Sequence, residues 1–283
     1  MPKQAAALTG KRMLITGGSA GIGERVASGL VQLGANLTIV ARRQAVAGEA
    51  ARRIAGDHAV DVMLADLSLL KGVRSLAQEF QSRYDGLDAL VHCAGGLTAK
   101  RTLTAEGAEL TYATQYLARQ YLDTLLMPAM AGRDARIVSV SGGGDVKKAL
   151  DQANLHGEVK YSGLGAMQTI SIANDLLGLE IAERFRSAGV RSYVYGPGPV
   201  RGTGLTSQLK LPIRVAFDLA SHVIGSTVEG ASRDIIALLT GDHPSGLYQR
   251  RLKAIEPTAY AASARERDAV WRATEAEIDR LTA

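Results

Sequence analysis

The sequence predicts an α/β fold: one doubly wound parallel sheet of the Rossmann type, formed by a single domain that spans all 283 residues. Strand-like and helix-like segments alternate along the chain, which is the order of βαβ units. The strand segments are short, continuous apolar runs, as expected where helices cover both faces of a parallel sheet. The first strand also runs directly into a glycine-rich turn and a helix.

The stretch 13–23, MLITGGSAGIG, contains that strand, turn and helix start. Gly17 and Gly21 let the backbone turn tightly and approach a ligand, while Gly23 lets the helix that opens at Ile22 pack close to the sheet. Free backbone N–H groups and the positive end of the helix dipole then face the ligand. The stretch therefore predicts an anion site of the size of a pyrophosphate.

The remaining strands follow at regular intervals, with helical patterns between them. A segment rich in Gly, Pro and Thr, 197–226, predicts a mobile lobe over the site, and an amphipathic pattern over 262–281 predicts a closing helix. The predicted strands cover 37–41, 59–64, 89–94, 135–140 and 190–195.

Composition and spacing exclude several classes of function. The 33 Lys and Arg residues are scattered among 28 acids, without interleaved aromatic residues, so we expect no nucleic-acid partner. No apolar run approaches the roughly 18 residues of a membrane span and no export signal is visible, so we expect a cytoplasmic protein. Cys93 is the one cysteine, which excludes an internal disulfide. No cluster of His, Cys or acids has ligand spacing, so we expect no metal.

The glycine turn resembles that of the short-chain dehydrogenase/reductase family. The family pattern Thr-Gly-x-x-x-Gly-x-Gly is met by Thr16, Gly17, Gly21 and Gly23. The resemblance implies the fold of that family and a nicotinamide dinucleotide as cofactor.

Three further segments resemble the retinol-dehydrogenase-like branch of this family. They are NLHGEVKY at 154–161, IANDLLGLEIAERF at 172–185, and the tail over 245–271. The similarity therefore extends over nearly the whole chain.

The end of the second strand indicates which dinucleotide is bound. An NAD enzyme places an acid there to hold the ribose 2′-hydroxyl, whereas NADP requires cations. Arg42 and Arg43 stand at this point, so the sequence favours NADP. The alternative is a solvated pair, although positive charge near a helix N-terminus is mildly unfavourable.

The resemblance implies further cofactor contacts. Ser19 would join Arg42 at the 2′-phosphate, and the other positions would border the adenine, the pyrophosphate or the nicotinamide. These positions are Ile22, Asp66, Leu67, Ala94, Gly95, Pro197 and Gly198.

All four positions of the family's catalytic set are altered. Aligned by their flanking motifs, the Asn, Ser, Tyr and Lys positions hold Gln115, Gly142, Met167 and Ser171. In the family the Tyr protonates the alkoxide, the Lys lowers the pKa of that Tyr, and the Ser holds the carbonyl oxygen. Met at the Tyr position cannot donate a proton, and Gly at the Ser position cannot hold the carbonyl oxygen. The sequence therefore predicts that the ordinary mechanism of the family does not operate.

Three residues are candidates for a catalytic role in place of the altered set. Gln115 can orient a carbonyl through its amide or serve as an ordinary helix residue. His92, at the end of a strand that points toward the cofactor, can act as an acid or make a structural hydrogen bond. Tyr161 is a tempting substitute, but it matches a second, non-catalytic Tyr of the branch, and Gly165 instead of Lys stands four residues later. We expect Tyr161 to be dispensable for chemistry.

Three functions remain open at this point: an atypical NADPH-dependent reductase, a redox-neutral cyclase or isomerase, and a non-catalytic NADP-binding protein. Gly142 and Met167 leave a larger and more apolar pocket, which favours a bulky apolar small molecule that is already electrophilic. The resemblance also implies a homodimer, paired through the long helices around Gln115 and Asn174.

Overall fold

The computed structural model describes residues 7–56, 58–201 and 225–283. Most of the predicted lobe, residues 202–224, lies outside this description. The remainder forms one sheet with helices on both faces.

The sheet has eight strands within the described ranges, in the order β3-β2-β1-β4-β5-β6-β7-β8. Every neighbouring pair is parallel except β7 and β8. The strands are β1 (Arg12–Thr16), β2 (Asn36–Ala41), β3 (Val60–Leu64), β4 (Ala89–His92), β5 (Arg136–Val140), β6 (Arg191–Gly196), β7 (Gly246–Gln249) and β8 (Lys253–Ile255).

The first six strands confirm the predicted doubly wound sheet. In its centre Ile15 of β1 pairs with Ile39 of β2 and Val91 of β4, and all three side chains are fully buried. Continuous apolar runs suit this position because helices cover both faces. From β1 the chain builds the sheet first toward β2 and β3 on one side, and then toward β4, β5 and β6 on the other. The connections that leave β1 and β4 therefore lead to opposite faces of the sheet, and a crevice opens between them.

Two strands were not predicted from the sequence. β7 has four residues and β8 has three, and each depends on a partner strand for its hydrogen bonds. Leu247 and Tyr248 of β7 are buried beside β6, whereas β8 is an antiparallel edge strand with exposed Lys253 and Ala254. Runs this short carry too weak a periodic signal to be distinguished from loop.

Within the described ranges the helices alternate with most of the strands; two helices lie between β4 and β5, a 3₁₀ turn joins β7 to β8, and two helices follow β8. The helices are α1 (Gly21–Gln32), α2 (Gln44–Ala55), α3 (Leu70–Arg83), α4 (Leu110–Tyr112), α5 (Ala118–Met130), α6 (Gly163–Arg184), α7 (Val228–Thr240), α8 (Ala259–Ala262) and α9 (Ala264–Thr282). Short 3₁₀ turns occur at Gln152–Asn154 and Arg250–Leu252. The predicted closing helix, 262–281, corresponds to α9, which begins two residues later because the Ser263 hydroxyl accepts the N–H of Glu266 as an N-cap.

The two faces of the sheet carry separate cores. On one face Phe80 of α3, Leu176 of α6 and Trp271 of α9 pack together, and on the other Leu30 of α1 packs with Ile235 of α7. None of the described helices is both long and apolar enough to span a membrane.

A π-helical segment, Ala113–Leu117, joins α4 to α5 and places one wide turn in a long helix. The Asn174 side chain of α6 donates to the backbone carbonyl of Gln115 in this segment, over 3.0 Å. Such wide turns leave backbone groups without their usual helical partner. This segment is aimed at the carboxyl end of the sheet, where the candidate site lies.

Candidate functional site

A cavity of about 590 Å³ opens at the carboxyl ends of the central strands. It is lined by the glycine turn after β1, by the loops that follow β2, β3, β4, β5 and β6, and by one side of the π-helical segment and of α6. Ligands of open α/β sheets bind at this position.

The glycine turn forms one wall of the cavity through its backbone. Gly17 has φ = +69°, and a Cβ atom built there would lie 2.6 Å from the backbone nitrogen of Ala94. A Cβ atom on Gly23 would collide with the carbonyl oxygen of Gly17. The first turn of α1 has no side-chain cap, so its N–H groups are available to an anion. A pyrophosphate group suits this cradle.

Thr16 lies behind the glycine turn and does not line the cavity. It is buried, and its hydroxyl oxygen accepts from the N–H of Ala94 over 3.4 Å. The predicted cofactor contact of Thr16 is therefore indirect, because the side chain fixes the distance between the ends of β1 and β4.

The structure brings together the residues predicted to surround a 2′-phosphate and the adenine, with one exception. Arg42, Ser19, Asp66 and Leu67 all line the cavity. Arg42 is exposed and forms no ion pair with any described carboxylate. Arg43 is the exception, because it is the exposed N-cap of α2 and its side chain lies outside the lining.

The other end of the cavity contains three of the four positions that were aligned from the sequence with the family's catalytic set. Gln115, Met167 and Ser171 line it, and Gly142 lies directly behind Ser171. A Cβ atom on Gly142 would lie 2.7 Å from the Cβ of Ser171. The Ser171 hydroxyl donates to the backbone carbonyl of Met167 over 2.9 Å. Gly142, Met167 and Ser171 thus pack as one group that offers no free acidic proton.

The amide of Gln115 is engaged with the loop after β4. Its Nε2 donates to the carbonyl oxygen of Gly96 over 2.8 Å. Its Oε1 packs against Gly95, where an added Cβ atom would lie only 2.7 Å from this oxygen. These contacts favour a role in holding the loop, with one N–H left for a ligand.

Tyr161 lies beyond the cavity wall. Its hydroxyl is 2.5 Å from the Thr98 hydroxyl and donates to Glu109 over 3.0 Å. Burial and the nearby Glu109 carboxylate raise the pKa of Tyr161, although hydrogen bonds from threonine hydroxyls partly oppose the rise. A catalytic Tyr of the family requires a lowered pKa, so this position favours the non-catalytic interpretation.

The side chain of His92 does not enter the cavity at the end of β4. It is 2% exposed, does not line the cavity, and its Nε2 lies 2.8 Å from Oδ1 of fully buried Asp123. The side chain turns to the face of β4 that α5 covers, and the strand position alone did not show which face it takes. This geometry favours the structural alternative.

Pro197 and Gly198, together with Ala94 and Gly95, line the cavity as the resemblance implies. No three His, Cys, Asp or Glu side chains among the described residues are grouped as a metal site.

Arg119 is a cavity residue that the sequence analysis did not identify. It lies on α5, is 3% exposed, and lines the cavity. Its guanidinium donates to the carbonyl oxygen of Val140 over 3.0 Å, and burial lowers the pKa of Arg119 to about 10. The signal in the sequence is its spacing of four residues from Gln115, which places both on one side of a helix.

A family model for short chain dehydrogenases matches residues 11–152. A Streptomyces sp. (strain C5) protein is 31% identical over 280 residues, with 96% of this chain and 93% of that protein covered. Its name, daunorubicin C-13 ketoreductase DnrU, was assigned to it by inference. The chain belongs to the short-chain dehydrogenase family. Retinol dehydrogenase 12 of Bos taurus is 30% identical over 271 residues, covering 93% of this chain and 85% of that protein, and the branch is the retinol-dehydrogenase-like one.

Solved structures share the fold. An uncharacterized protein from Mycobacterium paratuberculosis superposes with a TM-score of 0.75 at 24% identity, covering 96% of this chain and 94% of its own. The RhlG/NADP active-site complex of Pseudomonas aeruginosa superposes with a TM-score of 0.68 at 23% identity. The superposition covers 84% of this chain and 92% of that chain.

The packing of Gly142 on Ser171 generates a prediction for this dehydrogenase-family chain. Gly142→Ala should lower the free energy of unfolding by about 1–3 kcal/mol, because the new methyl group would overlap Ser171. In a Ser171→Gly background the same change should cost markedly less. A double-mutant cycle by chemical denaturation measures the difference, and additive effects would show that the two positions do not contact each other.

Asp175 generates a second prediction, on pH. It is buried on α6, its Oδ2 accepts the N–H of Gly144 over 2.9 Å, and burial raises the pKa of Asp175 to about 7. Because the folded state holds this proton more tightly, the contribution of Asp175 to stability is complete below about pH 4 and is lost as pH rises through about 7.

Asp175→Asn should remove that dependence. The free energy of unfolding of the variant, relative to the unaltered protein, should rise between about pH 4 and pH 7 and then level off. Denaturation series at several pH values measure it, with exposed Asp85→Asn as the control. A difference that stays constant with pH would contradict the buried, protonated carboxyl.

Proposed function

We propose that the chain is an atypical NADP(H)-dependent reductase that acts on a bulky, apolar and already electrophilic small molecule in secondary metabolism. One observation carries the proposal: a single cavity combines an intact dinucleotide cradle with a reaction end that offers no ready acid. Membership of the dehydrogenase family supports redox chemistry, and the Streptomyces relative, by its name, supports the metabolic setting.

The choice of NADP rests on Arg42 and Ser19. Both line the cavity at the end of β2, where an NAD enzyme would carry an acid. Arg42 has no carboxylate partner among the described residues, so its guanidinium is available to a 2′-phosphate. When bound, NADPH supplies a hydride from its nicotinamide ring.

The substrate class is inferred from the walls around the altered positions. Leu97, Leu110, Met167, Ile170 and Val200 line this end with aliphatic side chains. Met167 is unbranched and adapts its shape to a ligand. The lining suits a large apolar molecule better than a small polar carbonyl compound.

The requirement for an electrophilic substrate follows from the missing proton donor. The Ser171 hydroxyl is bonded to Met167, the Gln115 amide to Gly96, and the raised pKa of Tyr161 opposes its use as an acid. Loss of general acid catalysis costs about 10²- to 10⁴-fold, and loss of an oxyanion donor about 10²- to 10³-fold. Only a substrate that accepts hydride without prompt protonation avoids these losses.

A redox-neutral cyclase or isomerase is the second candidate, because a reaction without hydride transfer also needs no acid for an alkoxide. The predicted homodimer and cytoplasmic location form part of the proposal and rest on the sequence alone.

NADPH should bind at least tenfold more tightly than NADH, because Arg42 pairs with the 2′-phosphate. Arg42→Asp should reverse the preference, since a carboxylate repels the phosphate and accepts from the ribose 2′-hydroxyl. Isothermal titration calorimetry with both cofactors measures this. Arg43→Asp is the matched control and should have a much smaller effect, as Arg43 lies outside the cavity. Equal affinities in the unaltered protein would contradict the assignment.

Generic aldehydes, ketones and retinoid-like alcohols should show negligible turnover with the unaltered protein. The variant Met167→Tyr/Ser171→Lys, which restores two members of the family's set, should reduce a generic ketone at least about a hundredfold faster. Met167→Phe/Ser171→Lys is the control, because it adds the ring without the acidic hydroxyl. NADPH absorbance and alcohol product are followed together.

Brisk ketone reduction by the unaltered protein would show that the altered positions are not chemically empty. Once a natural substrate is found, consumption of one NADPH per product supports the reductase. Product formed without NADPH consumption would overturn it in favour of the redox-neutral candidate.

A further inference from the structure

The guanidinium of Arg119 is a buried cation at the reaction end of the cavity. Arg119 is 3% exposed, yet its side chain forms part of the cavity lining beside Ala94 and Ser171. Its Nε atom has no hydrogen-bond partner within the part of the chain that the structure describes. A polar group in this state is uncommon in folded proteins, where nearly all such atoms are satisfied.

The partners of this guanidinium are neutral. They are the carbonyl oxygens of Val140 and Ala94, at 3.0 and 3.5 Å, and the amide oxygen of Asn174, at 3.4 Å. No described carboxylate lies within 4.0 Å of it. Asp123, one helical turn away, is hydrogen-bonded to His92.

The nearest thiol adds no negative charge either. Burial raises the pKa of Cys93 to about 12, so this thiol is neutral at physiological pH. Arg119 keeps its proton there, so the cavity floor carries a positive charge that contacts no described carboxylate, and the nearby Asp123 offsets this charge only through space. Burying such a charge is costly, and charged or dipolar groups of a ligand would offset the cost.

The position of Arg119 assigns it to one half of a dinucleotide. Arg42 follows β2, while Arg119 contacts the ends of β4 and β5, so β1 lies between the two cations in the sheet. With the 2′-phosphate at Arg42 and the pyrophosphate at the turn after β1, the nicotinamide half extends to Arg119. This step rests on the proposed function.

We infer that Arg119 makes the site select the reduced cofactor. The nicotinamide ring is positively charged in NADP⁺ and neutral in NADPH. A guanidinium fixed in the wall of the nicotinamide half of the cavity would therefore disfavour the oxidised form and leave the binding of the reduced form unopposed.

This cation also enters the site from a different helix than the family's Lys would. The Lys position is Ser171 on α6, whereas Arg119 lies on α5 and reaches α6 through Asn174, three residues after Ser171. Its partners fix the guanidinium in place, because it donates to a carbonyl oxygen at the end of β5, to one in the loop after β4 and to one side-chain amide. The charge is thus positioned rigidly, unlike that of a flexible lysine.

Calorimetric titration tests the inference without a substrate. The unaltered protein should bind NADPH about tenfold or more tightly than NADP⁺, the size expected for two like charges several ångströms apart at intermediate dielectric. Arg119→Met removes the charge and should bring the two affinities to within about threefold. Arg119→Lys should retain most of the preference.

Two controls accompany these variants. The fragment 2′,5′-ADP lacks the nicotinamide half, so its affinity should be the same in all Arg119 variants, which also shows that they are folded. Arg74→Met removes an exposed arginine on α3 and should leave the NADPH to NADP⁺ ratio unchanged. If Arg119→Met does not fold, Arg119→Gln removes the charge and retains a donor for Val140.

The outcomes separate the two proposals. If the unaltered protein binds neither NADPH nor 2′,5′-ADP, the proposed function is overturned and the inference falls with it. If both bind, but the neutral variants keep the ratio of the unaltered protein, the inference about Arg119 is overturned and the proposed function stands.

Discussion

The close backbone approach between the turn after β1 and the end of β4 determines the geometry of the cavity. No side chain can be accommodated at Gly17 or Gly23, because the neighbouring backbone already occupies the space of a Cβ atom. Thr16 holds the same approach from the opposite side through the N–H of Ala94. This contact brings the N-terminus of α1 and the loop after β4 to one point, so the anion cradle and the reaction end share a single cavity.

The sequence predicted the parts of the fold that depend on local pattern. Six strands and the glycine turn were placed within a residue or two, since most of these strands are buried on both faces and leave a continuous apolar run; β3, at the edge of the sheet, is partly exposed. β7 and β8 could not be predicted from local pattern, because the four residues of β7 pair with the distant β6 and the three residues of β8 pair in turn with β7. The π-helical turn at Ala113–Leu117 also has no local signature that distinguishes it from the helix around it.

Within the site, the sequence could not predict the direction in which side chains point. The glycine turn and Arg42 were predictable because motif and spacing define them, whereas the direction of the His92 side chain and the contribution of Arg119 to the cavity were not. His92 ends a strand beside the cavity but turns toward Asp123, and Arg119 belongs to a helix yet its charge reaches the cavity. Strand and helix positions give the face of a residue only when its neighbours are known, and those neighbours are distant in the sequence.

Asn174 holds the frame of the site through contacts that do not involve the side chains at the four altered positions. Its amide donates to the carbonyl oxygens of Gln115 and Ile170 and accepts from Arg119, so one side chain joins α6 to the irregular turn of the long helix. None of these contacts uses a side-chain atom of the four altered positions. The scaffold is therefore modular: reactive groups can be exchanged while the frame that orients them persists. A chain built in this way is free to change reaction without first having to change shape.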